Sequence, residues 1–151
     1  MNILLKPIDL TISLLATTTA ILFVNPSWGA EVYLNRQCQR VDDSMDAFRV
    51  DFRRNLQPSG QPYWFSLARY TDGSAIFCLT QPNYAQGQPL AVKQLQNQFI
   101  REIKQESRET SFLITVAYGN GRRVPLAQFR LNLDNPRQPK LSKLREWRDS
   151  R

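Results

Sequence analysis

The sequence predicts an α+β domain with about five antiparallel strands, in the order strand, hairpin, helix, hairpin, and one helix packed on a face of the sheet. Three observations carry this expectation. Two stretches rich in aromatic and β-branched residues are each broken by a glycine-bearing turn, and between them apolar residues recur at three- and four-residue spacing.

Taken in order, Phe48-Arg49-Val50-Asp51-Phe52-Arg53 alternates apolar and charged residues with period two, the pattern of a half-exposed strand, although Met45 and Leu56 also allow a helical phase. Two prolines and a glycine in Gln57-Pro58-Ser59-Gly60-Gln61-Pro62 then mark a loop. The first hairpin joins residues 63–70 to 74–80 through Thr71-Asp72-Gly73, and its alternation assigns Tyr63, Phe65 and Leu67 to the core face. After a turn-rich connection over 81–88, Pro89 stands where a helix can begin without losing a useful donor. Val92, Leu95, Phe99 and Ile103 then form an apolar stripe, which predicts a helix over 89–108. A second hairpin follows, with residues 111–118 before Gly119-Asn120-Gly121 and Phe129, Leu131 and Leu133 alternating with polar residues after it. Pro125 cannot donate to a central ladder, and Val124 and Leu126 are out of phase with Phe129, so a bulge or a late strand start is expected there. Beyond Pro139, Leu141, Leu144 and Trp147 have the spacing of a short amphipathic helix.

The two ends of the chain differ in kind from this middle. Residues 1–29 read as a secretory signal peptide: Lys6 precedes an apolar run over 10–24, and Ser27 and Gly29 supply the small residues expected before a cleavage site. A spanning helix needs about 20 apolar residues, and Asp9 interrupts the run early. This implies a secreted or periplasmic protein, with 30–136 as the small α+β domain and 137–151 as a basic tail. In an oxidising compartment the two cysteines of that portion, Cys38 and Cys78, are expected to pair.

Composition restricts the chemistry. The chain contains no histidine, which removes Ser-His-Asp and Cys-His arrangements, histidine acid/base catalysis and most transition-metal sites. No cofactor or metal is expected. Asp42, Asp43 and Asp46 cluster before the first strand but do not follow a calcium-loop pattern, so a solvated turn is the plainer reading. They keep open one alternative, a small envelope-glycan hydrolase working with Asp or Glu carboxylates.

The net charge is +7, with a calculated isoelectric point near 9.8, and the positive charge is concentrated after residue 136. Lys140, Lys143, Arg145, Trp147 and Arg148, extended by Arg122 and Arg123 at the second hairpin turn, are the candidate binding residues. Arginine pairs bidentately with phosphate and carboxylate, and a basic amphipathic element suits a polyanion or an anionic membrane surface. The expected function is an exported, non-catalytic binding or accessory module. Its expected partner is an anionic polysaccharide, lipid head groups or an acidic protein. Nucleic acid is disfavoured, because export removes that partner and hairpin aromatics serve the core first.

Overall fold

The computed structural model describes residues 31–148, the side chain of Asn83 excepted. The signal-peptide reading therefore falls outside the described residues. Ten strands form one antiparallel sheet: β1 (Tyr33–Leu34), β2 (Arg40–Val41), β3 (Phe48–Leu56), β4 (Tyr63–Arg69), β5 (Ser74–Thr80), β6 (Gly87–Pro89), β7 (Gln98–Gln105), β8 (Ser111–Ala117), β9 (Pro125–Asn132) and β10 (Lys140–Arg148). Their order is β10-β9-β8-β7-β5-β4-β3-β1-β2, with β6 on the rest of the β5 edge. Among the described residues the only helical pieces are two 3-10 turns, Pro58–Gly60 and Pro82–Tyr84. The α+β expectation is thus overturned: the fold is all-β, with no packed helix and with ten strands in place of about five.

The two hairpins occur where the sequence puts them. β4 and β5 turn through Gly73, whose φ of 90° is the left-handed backbone that glycine tolerates. β8 pairs with β9 along its whole length, and β9 starts late, at Pro125. The helix over 89–108 is replaced by a turn and a strand. Val92 and Leu95 reach the core from the turn that precedes Asn97, a residue with φ 58°. β7 then carries a bulge between Ile100 and Glu102, and both Ile100 and Ile103 pack on the core although they are three positions apart. An extra residue in a strand converts period two into spacing three, which imitates a helix. The C-terminal segment is also a strand, β10, hydrogen-bonded to β9; a bulge between Lys143 and Arg145 interrupts its alternation, and Leu141 lies opposite Leu131 on the inner side while Trp147 lies opposite Leu126 on the outer side.

The sheet folds over on itself. β8 lies three places from β4 in the strand order, which in a flat sheet is about 14 Å, yet the Phe65 and Phe112 ring centroids are 4.6 Å apart. Phe52 of β3 meets Phe112 edge-on at 6.2 Å. The fold occurs where β5 and β7 pair through only Ser74 with Phe99 and Ala75 with Gln98. Past that point Gln96 occupies the β5 edge: its side chain accepts from the Phe77 N–H (2.9 Å) and donates to the carbonyls of Phe77 (3.0 Å) and Leu90 (2.8 Å). One limb, β3 to β5, therefore faces the other, β7 to β10, across a core built on Phe65, Phe77, Phe112, Leu79, Leu95 and Leu131.

The outer face of the first limb is covered by the N-terminal arm. Leu34 and Cys38 pack there with Phe48, Ala68, Ile76, Cys78 and Tyr84. Cys38 and Cys78 form a disulfide, with Cα atoms 5.7 Å apart. Gly87 admits the arm closely, since a Cβ on it would lie 1.8 Å from the Cys38 carbonyl oxygen.

Candidate functional site

Strand alternation and register decide which of the basic residues come together. Across the outer face of the second limb, Phe99 is opposite Ala117, Ala117 opposite Leu126, and Leu126 opposite Trp147. The neighbouring row carries Glu102, Thr115, Gln128 and Arg145. Arg145 donates from Nε to Gln128 Oε1 (3.1 Å), and its guanidinium lies over the Trp147 ring, 4.6 Å from the centroid. Leu126, out of phase with Phe129 in the sequence, is buried on this outer face, whereas Phe129 points to the inner core.

At the end of the same strands Arg148 pairs with Pro125, so it stands beside the β8–β9 turn that carries Arg122 and Arg123. The Tyr118 N–H donates to the Pro125 carbonyl (2.9 Å), which places Tyr118 at the same corner. A further arginine joins it. Arg101, the bulged residue of β7, donates to the Gly121 carbonyl (2.9 Å) and ties the turn to the sheet. Arg101 was not legible as a site residue, because in a helical register it reads as one more solvent-facing polar position. Only the bulge aims it at the turn.

The structure sets Lys140 apart and keeps Lys143 near Tyr118. Lys140 pairs with Asn132 at the opposite end of β10, near Asp134. Lys143 is opposite Phe129 on the inner side and forms an ion pair with Glu146. That hydrogen bond holds the Lys143 ammonium above its ordinary pKa, and the negative charge of Glu146 and the nearby Tyr118 phenol add to the effect. Arg122, Arg123, Arg145 and Arg148 make no ion pair among the described residues.

The carboxylates are arranged differently. Asp42, Asp43 and Asp46 are exposed in the segment before β3. A cleft of about 490 Å³ lies elsewhere, between Pro58, Ser59, Gln61 and Tyr63 on one side and Asp134 to Arg137 on the other. Asp134 is its lining carboxylate. The Thr110 hydroxyl, the Asn132 amide and the charge of Arg108 hold it below the ordinary carboxylate range. Glu106 is also lowered, first by the two hydrogen bonds of Arg130 (2.8 and 3.0 Å) and then by the Ser111 hydroxyl. A general acid needs the opposite shift. Among the described residues no group of three or more Cys, Asp or Glu is placed to hold a metal ion.

What this corner can do chemically is bind negative charge. It offers planar guanidinium forks, each able to take two oxygens of a phosphate or carboxylate, beside an indole and a phenol. Comparison of the chain with protein-family models, with curated proteins and with solved structures gave no match.

Proposed function

We propose that this protein is an exported, non-catalytic binding module whose arginine corner attaches it to an anionic partner of the cell envelope. One observation supports the reading: the β9–β10 register puts Arg148 opposite Pro125, at the strand end that follows the turn carrying Arg122 and Arg123, so cations separated by about 25 positions in sequence gather at one end of the second limb. Arg145 and Trp147 add to it from the outer face of β10, while Arg148, opposite Pro125, alternates to the other side of the strand. A polyanion or an anionic head-group layer is the complementary chemistry, since clustered cations that make no ion pair among the described residues raise the local concentration of anions.

Export rests on residues 1–29, and the Cys38–Cys78 disulfide is compatible with it, because such bonds persist in oxidising compartments. Intact mass of the secreted protein checks that part. A chain beginning at Ala30 or Glu31 supports it, and recovery of the uncleaved chain in the membrane contradicts it.

The binding reading is tested with two anionic probes, an acidic polysaccharide and vesicles containing phosphatidylglycerol, each titrated in rising salt. Exposed charges are screened over about 8 Å at physiological ionic strength, so wild-type binding to at least one probe should weaken steeply with salt. The triple variant Arg122→Ala/Arg123→Ala/Arg148→Ala should lose most of it while melting like wild type. Deletion of 137–151 is not a suitable test, since it would remove β10 and expose Leu131 and the β9 edge. Equal, salt-sensitive binding by wild type and a folded triple variant overturns the assignment to this corner, and no binding to either probe overturns the function.

A further inference from the structure

We propose that the partner of this corner is a bilayer surface bearing anionic phospholipid, an inference that rests on the anionic-partner reading and narrows it. Two observations separate a membrane from an acidic glycan. The first is where apolar surface is left bare. Among the described residues the large exposed hydrophobic side chains are Met45, Tyr118 and Leu144; Tyr118, 42% exposed, belongs to the arginine corner, and Leu144, also 42% exposed, lies on β10 between Lys143 and Arg145. Leu144 is bare for a structural reason: it is the extra residue of the β10 bulge, flanked by Lys143 and Arg145. An isolated leucine between cations gains nothing from a hydrated polysaccharide, whereas the head-group boundary of a bilayer buries it.

The second observation concerns the indole. A saccharide ring stacks on an open aromatic face, but the face of Trp147 lies under the Arg145 guanidinium at 4.6 Å. That pairing occupies one face of the ring, and an indole beside a guanidinium is the combination that lodges at the interface between acyl chains and water. Tyr118 adds a second ring with a polar tip at the end of the adjoining turn. Arg122, Arg123 and Arg148 are then placed to meet lipid phosphates, with the long arginine stems letting their heads stay at head-group level.

The test compares wild type with Tyr118→Ser/Leu144→Ser, every sample with the same N terminus so that any contribution of residues 1–29 cancels. Both substitutions are at exposed positions, and thermal melts confirm that the sheet persists. Probes are vesicles of equimolar phosphatidylglycerol and phosphatidylcholine, vesicles of phosphatidylcholine alone, and alginate as a soluble polyuronate. The proposal expects wild type to bind the anionic vesicles over the neutral ones, and the double variant to bind them about tenfold more weakly, the effect of removing two partly buried apolar groups. Any alginate binding should be the same in both proteins. Unchanged vesicle binding by the folded double variant overturns the membrane inference. So does wild type that binds alginate and ignores vesicles, an outcome that leaves the anionic-partner reading standing. Failure to bind any anionic probe removes both.

Discussion

Both limbs of the sheet alternate inward and outward side chains, but they treat the outward ones in opposite ways. On the β3–β5 limb the outer positions Trp64, Ala68, Ile76 and Cys78 are apolar and lie under the arm of residues 31–47. On the β7–β10 limb the outer rows run through the buried Thr115, Ala117 and Leu126 and end in the exposed Arg145 and the half-buried Trp147. Covering the first face has a cost, because the Ser66, Thr80 and Tyr84 hydroxyls are buried with no hydrogen-bond partner among the described residues. Each such group costs about 1 to 3 kcal/mol, and the disulfide offsets part of that. The difference teaches that the arm seals one face, whereas the other ends in exposed cations on the edge strand β10.

The largest expected effect breaks both limbs at once. Phe112 is buried and joins β8 to Phe52 and Phe65 of the opposite limb. Phe112→Ala should therefore cost about 3 to 5 kcal/mol, read by denaturant titration. Phe99, by contrast, belongs to the outer row and is only half-buried, so Phe99→Ala should cost clearly less. Reversal of that order would show that the inner and outer faces of β7 have been exchanged.

A smaller effect sharpens the comparison on the covered side. Cys38→Ala/Cys78→Ala opens a loop of separation 40, and should cost about 3 to 4 kcal/mol in the chain-entropy view. Hydrogen exchange should quicken in 31–47, and binding through the arginine corner should not change. A loss of binding in a folded variant would mean that the two faces are coupled.

The smallest effect concerns the open limb and pH. Glu106 is held below its ordinary pKa by Arg130 and Ser111. The stabilisation from this lowered carboxyl is present above the ordinary value of about 4.3 and is lost as pH falls through the folded-state value. Glu106→Gln should be slightly less stable than wild type at neutral pH, and the gap should close on acidification. A gap that persisted well below that range would assign the loss to packing and not to charge.

Much of this arrangement was legible in the sequence, and the failures lie where strand pairing decides the structure. Strands β3, β4, β5, β8 and β9 follow from period-two alternation and turn glycines, and the cysteine pair from its compartment logic. The helix over 89–108 did not survive, because the bulge at Arg101 inserts one residue and resets the phase, and the tail pairs with β9 as a strand. A spacing of three cannot distinguish such a strand from a helix. The candidate residues are distributed by the strand pairing of β10: Arg145 and Trp147 alternate to the outer face, Lys143 and Arg148 to the other side, and Lys140 stands at the far end. Strand pairing, which is not local in sequence, was needed to send Lys140 to the far end and to bring in Arg101 and Tyr118.

The division between a covered face and a binding face is tested most directly by hydrogen exchange of the oxidised protein with and without phosphatidylglycerol vesicles. The account predicts added protection in 118–126 and 143–148 and no change in 31–47. Protection that falls on the arm, or on the cleft between Tyr63 and Arg137, with the arginine corner unaffected, would contradict it.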